Sequence, residues 1–142
     1  MTSKPDHARD LLFAVTELIT RINANLTGVL AELDLTLAQC YALLSIDPQL
    51  PPPAMKTIAA RLHCDPSSVT FLSDRLTERG IAERISDPAD RRSKALRLTD
   101  KGVSLREQLV ELAAKASPLA ALAGAEQRTL LDLITSSLTT AD

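Results

Sequence analysis

Apolar residues recur every three or four positions through the first long segment of the chain, over about residues 6–33. They are Leu11, Val15, Leu18, Ile22, Leu26, Val29 and Leu33. This spacing predicts a long helix with one apolar stripe. Because a domain this small cannot cover so long a helix, we expect the stripe to pack against a second copy of the chain or against the far terminus.

A second helix is predicted to begin at Thr36. Thr36 and Gln39 have the T-x-x-Q spacing of a capping box, in which each side chain accepts a hydrogen bond from the other residue's backbone N–H. The residues expected to face inward are Leu37, Tyr41, Leu44 and Ile46. Pro48 ends this helix, and four of the eight prolines lie in residues 48–53, which predicts an extended connector.

The strongest local pattern marks a helix that begins after Asp65 and ends at Gly80. Aspartate is a preferred N-cap, proline suits the first helical position, and glycine commonly follows a helix end. The inner side is predicted to carry Val69, Leu72 and Leu76, and the opposite side Ser67, Phe71, Asp74 and Glu78, with Thr70 on the flank.

A shorter helix is predicted just before it, over about residues 54–62, with Ile58, Ala59 and Leu62 inside. Only the tight turn His63-Cys64-Asp65 separates the two helices, so together they form a helix-turn-helix. Such turns usually have a small residue where His63 stands, and histidine tolerates a positive φ better than most residues.

After Gly80 the apolar spacing changes from helical to alternating. Segments 81–86 and 94–99 are predicted to be the strands of a hairpin whose charged connector, 87–93, is Asp-Pro-Ala-Asp-Arg-Arg-Ser. This hairpin has the character of a wing. Two more helices are predicted, from Thr99 to about Ser117, where Pro118 ends it, and over about residues 125–138. The fold class is therefore mainly α with a small antiparallel β wing.

Composition sets the class of protein. The 142 residues, 45% of them hydrophobic, suffice for one folded domain. No apolar run approaches the roughly 20 residues of a membrane span, and the polar start is not a signal peptide. We therefore expect a soluble, cytoplasmic protein without a membrane partner. Cys40 and Cys64 stand far apart, which argues against a disulfide scaffold or a metal site.

The net charge of −2 is unevenly distributed. Residues 55–106 contain eleven bases and seven acids, a net charge of +4, whereas the rest of the chain carries −6. A basic middle between acidic ends is typical of a nucleic-acid-binding region within an acidic protein.

Three stretches resemble the MarR family of bacterial and archaeal transcriptional regulators. They are L-T-L-A-Q at 35–39, S-S-V-T-F-L-S-D-R-L-T-E-R-G at 67–80, and I-A-E-R-I-S-D-P-A-D-R-R-S-K-A-L-R-L-T-D-K-G at 81–102, with the family's D-x-R motif at Asp90 and Arg92. The resemblance implies a single MarR-like domain over residues 1–142. Its winged helix-turn-helix would span about 36–102, and its dimerisation helices would span 6–33 and 103–142.

The function that this implies is a repressor that binds double-stranded DNA as a homodimer, at a near-palindromic operator, and is released by a small molecule or an oxidant. The DNA-contacting region is predicted over about residues 55–98. Its candidate contacts are Ser67, Ser68, Thr70, Phe71, Arg75, Arg91, Arg92 and Lys94.

Individual roles follow from residue type and, for the wing, from the family pattern. Small polar residues near a helix N-terminus suit base edges and phosphates. Phe71 could equally contact thymine methyl groups or pack against a partner. The family pattern assigns Arg92 to the minor groove and makes Asp90 the residue that braces the wing loop; the alternative is an ordinary solvated hairpin tip. Asp74 is expected to hold an arginine, either Arg75 or one from the wing.

Candidates for effector sensing are few. The stretch 67–80 resembles the family's recognition helix. Phe13 and Tyr41 are the only aromatic residues outside it that could contact a ligand, and both are expected in the core. Cys64 lies in the turn before a helix N-terminus, close to Arg61, and is the better redox candidate. Oxidant-sensing members of the family carry their reactive cysteine near the start of the first helix, where this chain has none. Cys40 is expected to be a buried small hydrophobe.

Other classes of protein fit less well. A winged-helix module for protein interaction would explain the acidity but not the adjacent Arg91 and Arg92. A metal-sensing regulator needs clustered ligands, and the consecutive His63, Cys64 and Asp65 cannot all face one ion. An enzyme is the poorest fit, since no nucleophile–base pair, phosphate loop or metal motif appears, and no cofactor is expected.

Overall fold

The protein's structure is a computed structural model that describes residues 7–140. Residues 1–6, which belong to the predicted polar start, and residues 141–142 lie outside it. The elements are α1 (His7–Glu32), α2 (Leu37–Ser45), α3 (Met55–Leu62), α4 (Pro66–Glu78), β1 (Ala82–Ser86), β2 (Lys94–Leu98), α5 (Asp100–Ala116), a 3-10 helix (Pro118–Ala121) and α6 (Gly124–Thr139). The prediction of a mainly α fold with a small antiparallel wing is confirmed.

The chain divides into two compact units. One comprises residues 28–112 and contains all of α2, α3, α4, β1 and β2. The other comprises, of the described residues, 7–27 together with 113–140, and includes α6. None of the helices within residues 7–140 has the length and apolar character that crossing a bilayer requires.

Helix α2 begins with the predicted capping box. The backbone N–H of Gln39 donates to Thr36 Oγ1 at 3.1 Å, and the backbone N–H of Thr36 donates to Gln39 Oε1 at 3.0 Å. These bonds satisfy donors that the first helical turn leaves without backbone partners.

The predicted inward face of α2 is largely wrong. Ile46 is buried as expected, but Leu37, Tyr41 and Leu44 are 38–41% exposed, and Cys40 and Leu43 are buried instead. Almost every residue of Leu-Ala-Gln-Cys-Tyr-Ala-Leu-Leu-Ser is apolar, so the spacing cannot select one face of the helix.

The proline-rich connector is not extended throughout. Residues 48–50 form a turn in which Asp47 Oδ1 accepts from Gln49 N at 2.9 Å. The extended part follows, and Pro53 O accepts from Leu96 N at 3.0 Å. An isolated antiparallel bridge between Ala54 and Ala95 continues this contact, so the connector borders the wing.

The helix-turn-helix forms as predicted. His63 ends α3 in the left-handed region, with φ 51° and ψ 42°. Asp65 Oδ1 caps α4 by accepting from Ser68 N at 2.9 Å, and Pro66 is the first helical residue. Gly80 follows α4 with φ +68°, a conformation that favours glycine.

The core beneath these helices matches the prediction in part. Ile58, Ala59, Val69 and Leu76 are buried. Leu62 and Leu72 are only half-buried, so their predicted core positions are corrected. The largest fully buried aliphatic side chains are Leu43, Ile46, Ile58, Leu76, Ile81, Leu96 and Leu109.

The Asp65 cap should give the fold a specific pH dependence. The hydrogen bond from the Ser68 backbone N–H, followed by that from the Ser67 hydroxyl, lowers the pKa of the Asp65 carboxyl. Since the folded-state pKa lies below the unfolded value, the cap stabilises the fold above about pH 4 and loses this contribution as pH falls through the folded pKa. We expect Asp65→Ala to lower the thermal midpoint more at pH 7 than at acidic pH, as measured by circular dichroism. Asp65→Asn, an acceptor that does not titrate, is the control; equal losses at both pH values would contradict this account.

The wing strands pair antiparallel from Ala82 opposite Leu98 to Ser86 opposite Lys94. Thr99 Oγ1 then caps α5 by accepting from Gly102 N at 3.1 Å, as predicted. At Gly102 the start of α5 comes so close to the backbone of Ile81 that a side chain has no room. A 3-10 helix, which the sequence did not reveal, follows the predicted stop at Pro118.

Candidate nucleic-acid interface

The outer face of α4 presents the predicted polar residues to solvent. Ser67, Ser68 and Thr70 are exposed, and the Phe71 side chain is 63% exposed. The Ser67 hydroxyl donates to Asp65 Oδ1 at 2.8 Å, and the Thr70 hydroxyl donates to Pro66 O at 3.0 Å. Both hydroxyl oxygens keep lone pairs that can accept a hydrogen bond from outside.

Arg75 contacts two other residues of its own helix, α4. Its guanidinium carbon lies 5.0 Å from the centroid of the Phe71 ring, and its Nη1 lies 3.2 Å from Glu78 Oε2. Asp74 therefore does not hold Arg75. It pairs with Arg84 of β1, whose Nη2 lies 2.6 Å from Asp74 Oδ1, so a wing arginine is its partner.

Carboxylates order the wing loop from within. Asp90 Oδ1 accepts from Arg92 N at 3.0 Å, and Asp90 Oδ2 accepts from the Ser93 hydroxyl at 3.1 Å. The buried Asp87 accepts from Ala89 N at 2.9 Å through Oδ1. The loop therefore has a defined shape at the position of the D-x-R motif.

The cations at this end of the hairpin are exposed. Arg91, Arg92 and Lys94 form no ion pair with any residue between 7 and 140. Unpaired exposed cations can replace the counterions of a phosphate backbone without first breaking an internal pair.

A small cleft of about 240 Å³ separates the hairpin from the start of α4. Lys56 and Lys94 both line it, next to Pro66 and Thr70. The sequence analysis did not select Lys56; the available signal was a base at the second position of α3, within the basic middle of the chain. Arg84 also lines the cleft but is paired with Asp74, so the other two cations, beside a helix N-terminus, make it suitable for a phosphate.

A larger, mainly apolar groove of about 970 Å³ lies between α2, α3 and α4. It brings together Tyr41, Cys64 and Phe71, and Arg61 and Arg75 also line it. Its volume is within the usual range for small-molecule sites. The expected core position of Tyr41 is thus wrong, since the side chain lines an open groove.

Of the remaining sensing candidates, Cys64 lines this groove and Phe13 does not. Phe13 was also expected in the core, but it is 61% exposed on α1, with the Arg9 guanidinium 5.9 Å from its ring centroid, and is not part of the groove. Cys64 is half-buried. Cys40 is fully buried, as predicted, and burial raises the pKa of its thiol.

Comparisons with known proteins agree with this geometry. Residues 35–94 match the model of the MarR family. No curated protein sequence matches the chain significantly. Among solved structures, CouR from Rhodococcus jostii RHA1 bound to p-coumaroyl-CoA is 23% identical, with a TM-score of 0.77 over 94% of both chains. The transcriptional repressor CouR bound to a 23-mer DNA duplex is 27% identical, with a TM-score of 0.72 over 98% of this chain and 99% of that one.

Wild-type MarR from E. coli, in its apo form, is 26% identical, with a TM-score of 0.70 over 90% of this chain and 96% of that chain. TM-scores of 0.70–0.77 over at least 90% of this chain show that these structures share its fold. Residues 35–94 thus match the MarR family model, and the fold around them is similar to that of the MarR-family structures.

Proposed function

We propose that this protein is a transcriptional repressor that binds a near-palindromic DNA operator as a homodimer. One observation carries the proposal: the exposed polar and aromatic face of α4 stands beside a wing whose Arg91, Arg92 and Lys94 have no internal carboxylate partner among the described residues. A DNA-bound structure of the similar repressor CouR supports it.

Helix α4 would read bases in the major groove. In helix-turn-helix proteins the N-terminal part of the second helix faces the base edges. In α4 that part presents Ser67, Ser68, Thr70 and Phe71 to solvent. The hydroxyls would accept from base amino groups, and the Phe71 ring would contact thymine methyl groups.

The wing would hold the adjacent backbone and the minor groove. A narrow minor groove concentrates negative potential and attracts an inserted arginine. Arg92 follows the Asp90 turn and is exposed, so it suits this position. Arg91, Lys94 and Lys56 would neutralise phosphates on either side.

Dimerisation would use the unit that contains residues 7–27 and 113–140. Large apolar side chains of α1 and α6 are exposed in the single chain, which is typical of an interaction surface. They are Leu11, Leu12, Phe13, Val15, Ile19, Leu131, Leu133, Ile134 and Leu138. A twofold dimer places equivalent α4 helices on half-sites separated by about 10 bp, or a multiple of it.

Selection of bound sequences from random duplex DNA, repeated at two salt concentrations, tests the proposal. We expect a near-palindrome at both concentrations, with affinity falling steeply as salt rises. Light scattering at micromolar concentration should give the mass of a dimer. Recovery of no common sequence would contradict operator recognition, and a monomer would contradict the twofold site.

Phe71 gives this proposal a sharper test. Phe71→Ala should weaken binding and relax the preference for thymine at one position of each half-site, because the apolar contact to the methyl group is lost. Each lost contact is expected to cost about 1 kcal/mol of base discrimination, the usual value of burying one methyl group. Thr77→Ala, an exposed change near the other end of α4, is the control. An unchanged sequence preference in Phe71→Ala would remove Phe71 from base reading.

The groove between α2, α3 and α4 is the best candidate for an effector site. Tyr41 and Phe71 offer aromatic faces, and Arg61, which forms no ion pair among the described residues, favours an anion, so an aromatic carboxylate fits the groove. The CouR structure with p-coumaroyl-CoA supports an aromatic ligand class. Since Phe71 and Arg75 belong to both the groove and α4, a bound ligand would compete with DNA.

Displacement of the selected operator by p-coumarate is the measurement, and no displacement would contradict this site.

A further inference from the structure

One side chain extends from the wing to α4, the proposed recognition helix. Arg84 is the central residue of β1, and its Nε donates to the Ser73 hydroxyl at 2.9 Å. Its Nη2 donates to Thr70 O at 3.0 Å and to Asp74 Oδ1 at 2.6 Å. We call these four residues the Arg84 cluster; three successive sites on α4 are thus bound by one guanidinium.

The Arg84 cluster differs from the other contacts of the hairpin. Within residues 7–140, no other side-chain hydrogen bond connects the hairpin, residues 82–98, to α4. The comparable pair of Arg97 with Glu83, at 2.6 Å, stays within the hairpin. Apolar packing alone resists separation of a two-stranded ribbon from a helix but resists its tilting less, because it has little directional preference.

The chemistry of the cluster favours a structural bond over a DNA contact. Ser73 is only 1% exposed, and a buried hydroxyl without a hydrogen-bond partner is destabilising. The hydrogen bond from Arg84 Nε gives the Ser73 hydroxyl that partner. The Asp74 carboxylate already neutralises the guanidinium, whose side chain is 35% exposed. Arg84 is therefore a poor ligand for a phosphate, unlike the unpaired cations of the wing.

A small tilt of the wing at its base produces a larger displacement at its tip. A strand of five residues is about 17 Å long at the usual rise per residue, so a tilt of about 10° at its base moves the tip by about 3 Å. Recognition sites need their side chains held to within about 0.5 Å. Small changes at Arg84 would therefore displace Arg92 from its contact while leaving α4 in place.

We propose that Arg84 is a positioning residue: it fixes the angle between wing and recognition helix, so that Arg92 reaches DNA when α4 is seated in its groove. The proposal rests on the proposed function, because it concerns how two contacts of one DNA site are coordinated. It assigns Arg84 an effect on DNA affinity that passes through Arg92.

A double-mutant cycle on the selected operator tests this coupling. Arg92→Ala in the parent protein is expected to reduce affinity about 30-fold or more. Arg84→Gln, whose amide still reaches toward Ser73, should reduce affinity to a similar extent. In the Arg84→Gln background, Arg92→Ala should cost less than about threefold, because the wing no longer presents Arg92 to DNA.

Two matched variants keep the test decisive. Arg97→Gln breaks an ion pair on the same hairpin that does not reach α4, and the full effect of Arg92→Ala should persist in its background. Asp74→Asn weakens the Arg84 cluster more gently, and serves as the second route if Arg84→Gln fails to fold by circular dichroism. In the Arg84→Gln or Asp74→Asn background, Arg92→Ala should no longer change the slope of log affinity against log salt. A mere loss of folded protein would not remove this effect of Arg92 on the slope.

Each outcome has one meaning. Strong non-additivity with Arg84→Gln or Asp74→Asn, and additivity with Arg97→Gln, supports the positioning role. Additive losses in both Arg84 and Asp74 backgrounds would overturn it and leave the proposed function intact. If Arg92→Ala has no effect in the parent protein, the wing contact of the proposed function fails, and the positioning role fails with it.

Discussion

Replacing Gly102 with alanine is expected to destabilise the fold by about 3–5 kcal/mol, at the upper end for single substitutions. The new Cβ would overlap the backbone carbonyl oxygen of Ile81 and lie 3.0 Å from the carbonyl carbon. That oxygen cannot move aside, because it accepts from Thr99 N at 3.0 Å and Ile81 is fully buried. The first turn of α5 would have to move away from the base of the wing.

Urea denaturation followed by circular dichroism measures this loss. Gly28→Ala is the matched control, since Gly28 is also helical but a Cβ there meets nothing within 4 Å. Its stability should stay the same or rise by about 1 kcal/mol, the usual gain of alanine over glycine within a helix. Equal stability of the two variants would contradict the close packing of α5 against Ile81.

Replacing Arg92 with alanine is expected to have the largest effect on DNA binding without unfolding the protein. The side chain is exposed and makes no ion pair among the described residues, so its removal leaves the fold intact. A dimer loses two such contacts, and at about 1–2 kcal/mol each the affinity should fall between about 30-fold and about a thousandfold. The slope of log affinity against log salt should become shallower by roughly 2 per dimer.

Fluorescence anisotropy with the selected operator, over a range of salt, gives both quantities. Arg97→Ala removes a charge of the same sign from the same hairpin, but that arginine is already paired with Glu83. We expect it to reduce affinity by less than about threefold, as is usual for an exposed ion pair. Similar losses in both variants would attribute the effect to net charge and not to an inserted arginine.

Features fixed by local chemistry could be predicted from the sequence. The capping box at Thr36, the cap at Asp65 and the left-handed His63 depend on a few neighbouring residues. The hairpin likewise follows from alternation and a turn-forming loop. The face of α2 could not be predicted, because an almost wholly apolar helix is oriented only by the elements that pack around it.

Some features of the candidate site could likewise be predicted from the sequence, and others could not. The exposed face of α4 follows from helical periodicity, and the turn at Asp90 follows from the motif. Arg84 and Lys56 were not selected, because their importance lies in contacts with distant parts of the chain. The groove beside Tyr41 is likewise formed by three helices, and no single segment contains its pattern.

The hydrogen bonds of the wing loop bear on how quickly this protein can bind. Asp87 and Asp90 hold the loop in shape in the free protein, so its conformational entropy is lost during folding and not on meeting DNA. A wing that is ordered before the encounter does not add a folding step to association. If the proposed function holds, we expect electrostatic attraction, not rearrangement of the loop, to govern the rate at which the wing binds DNA.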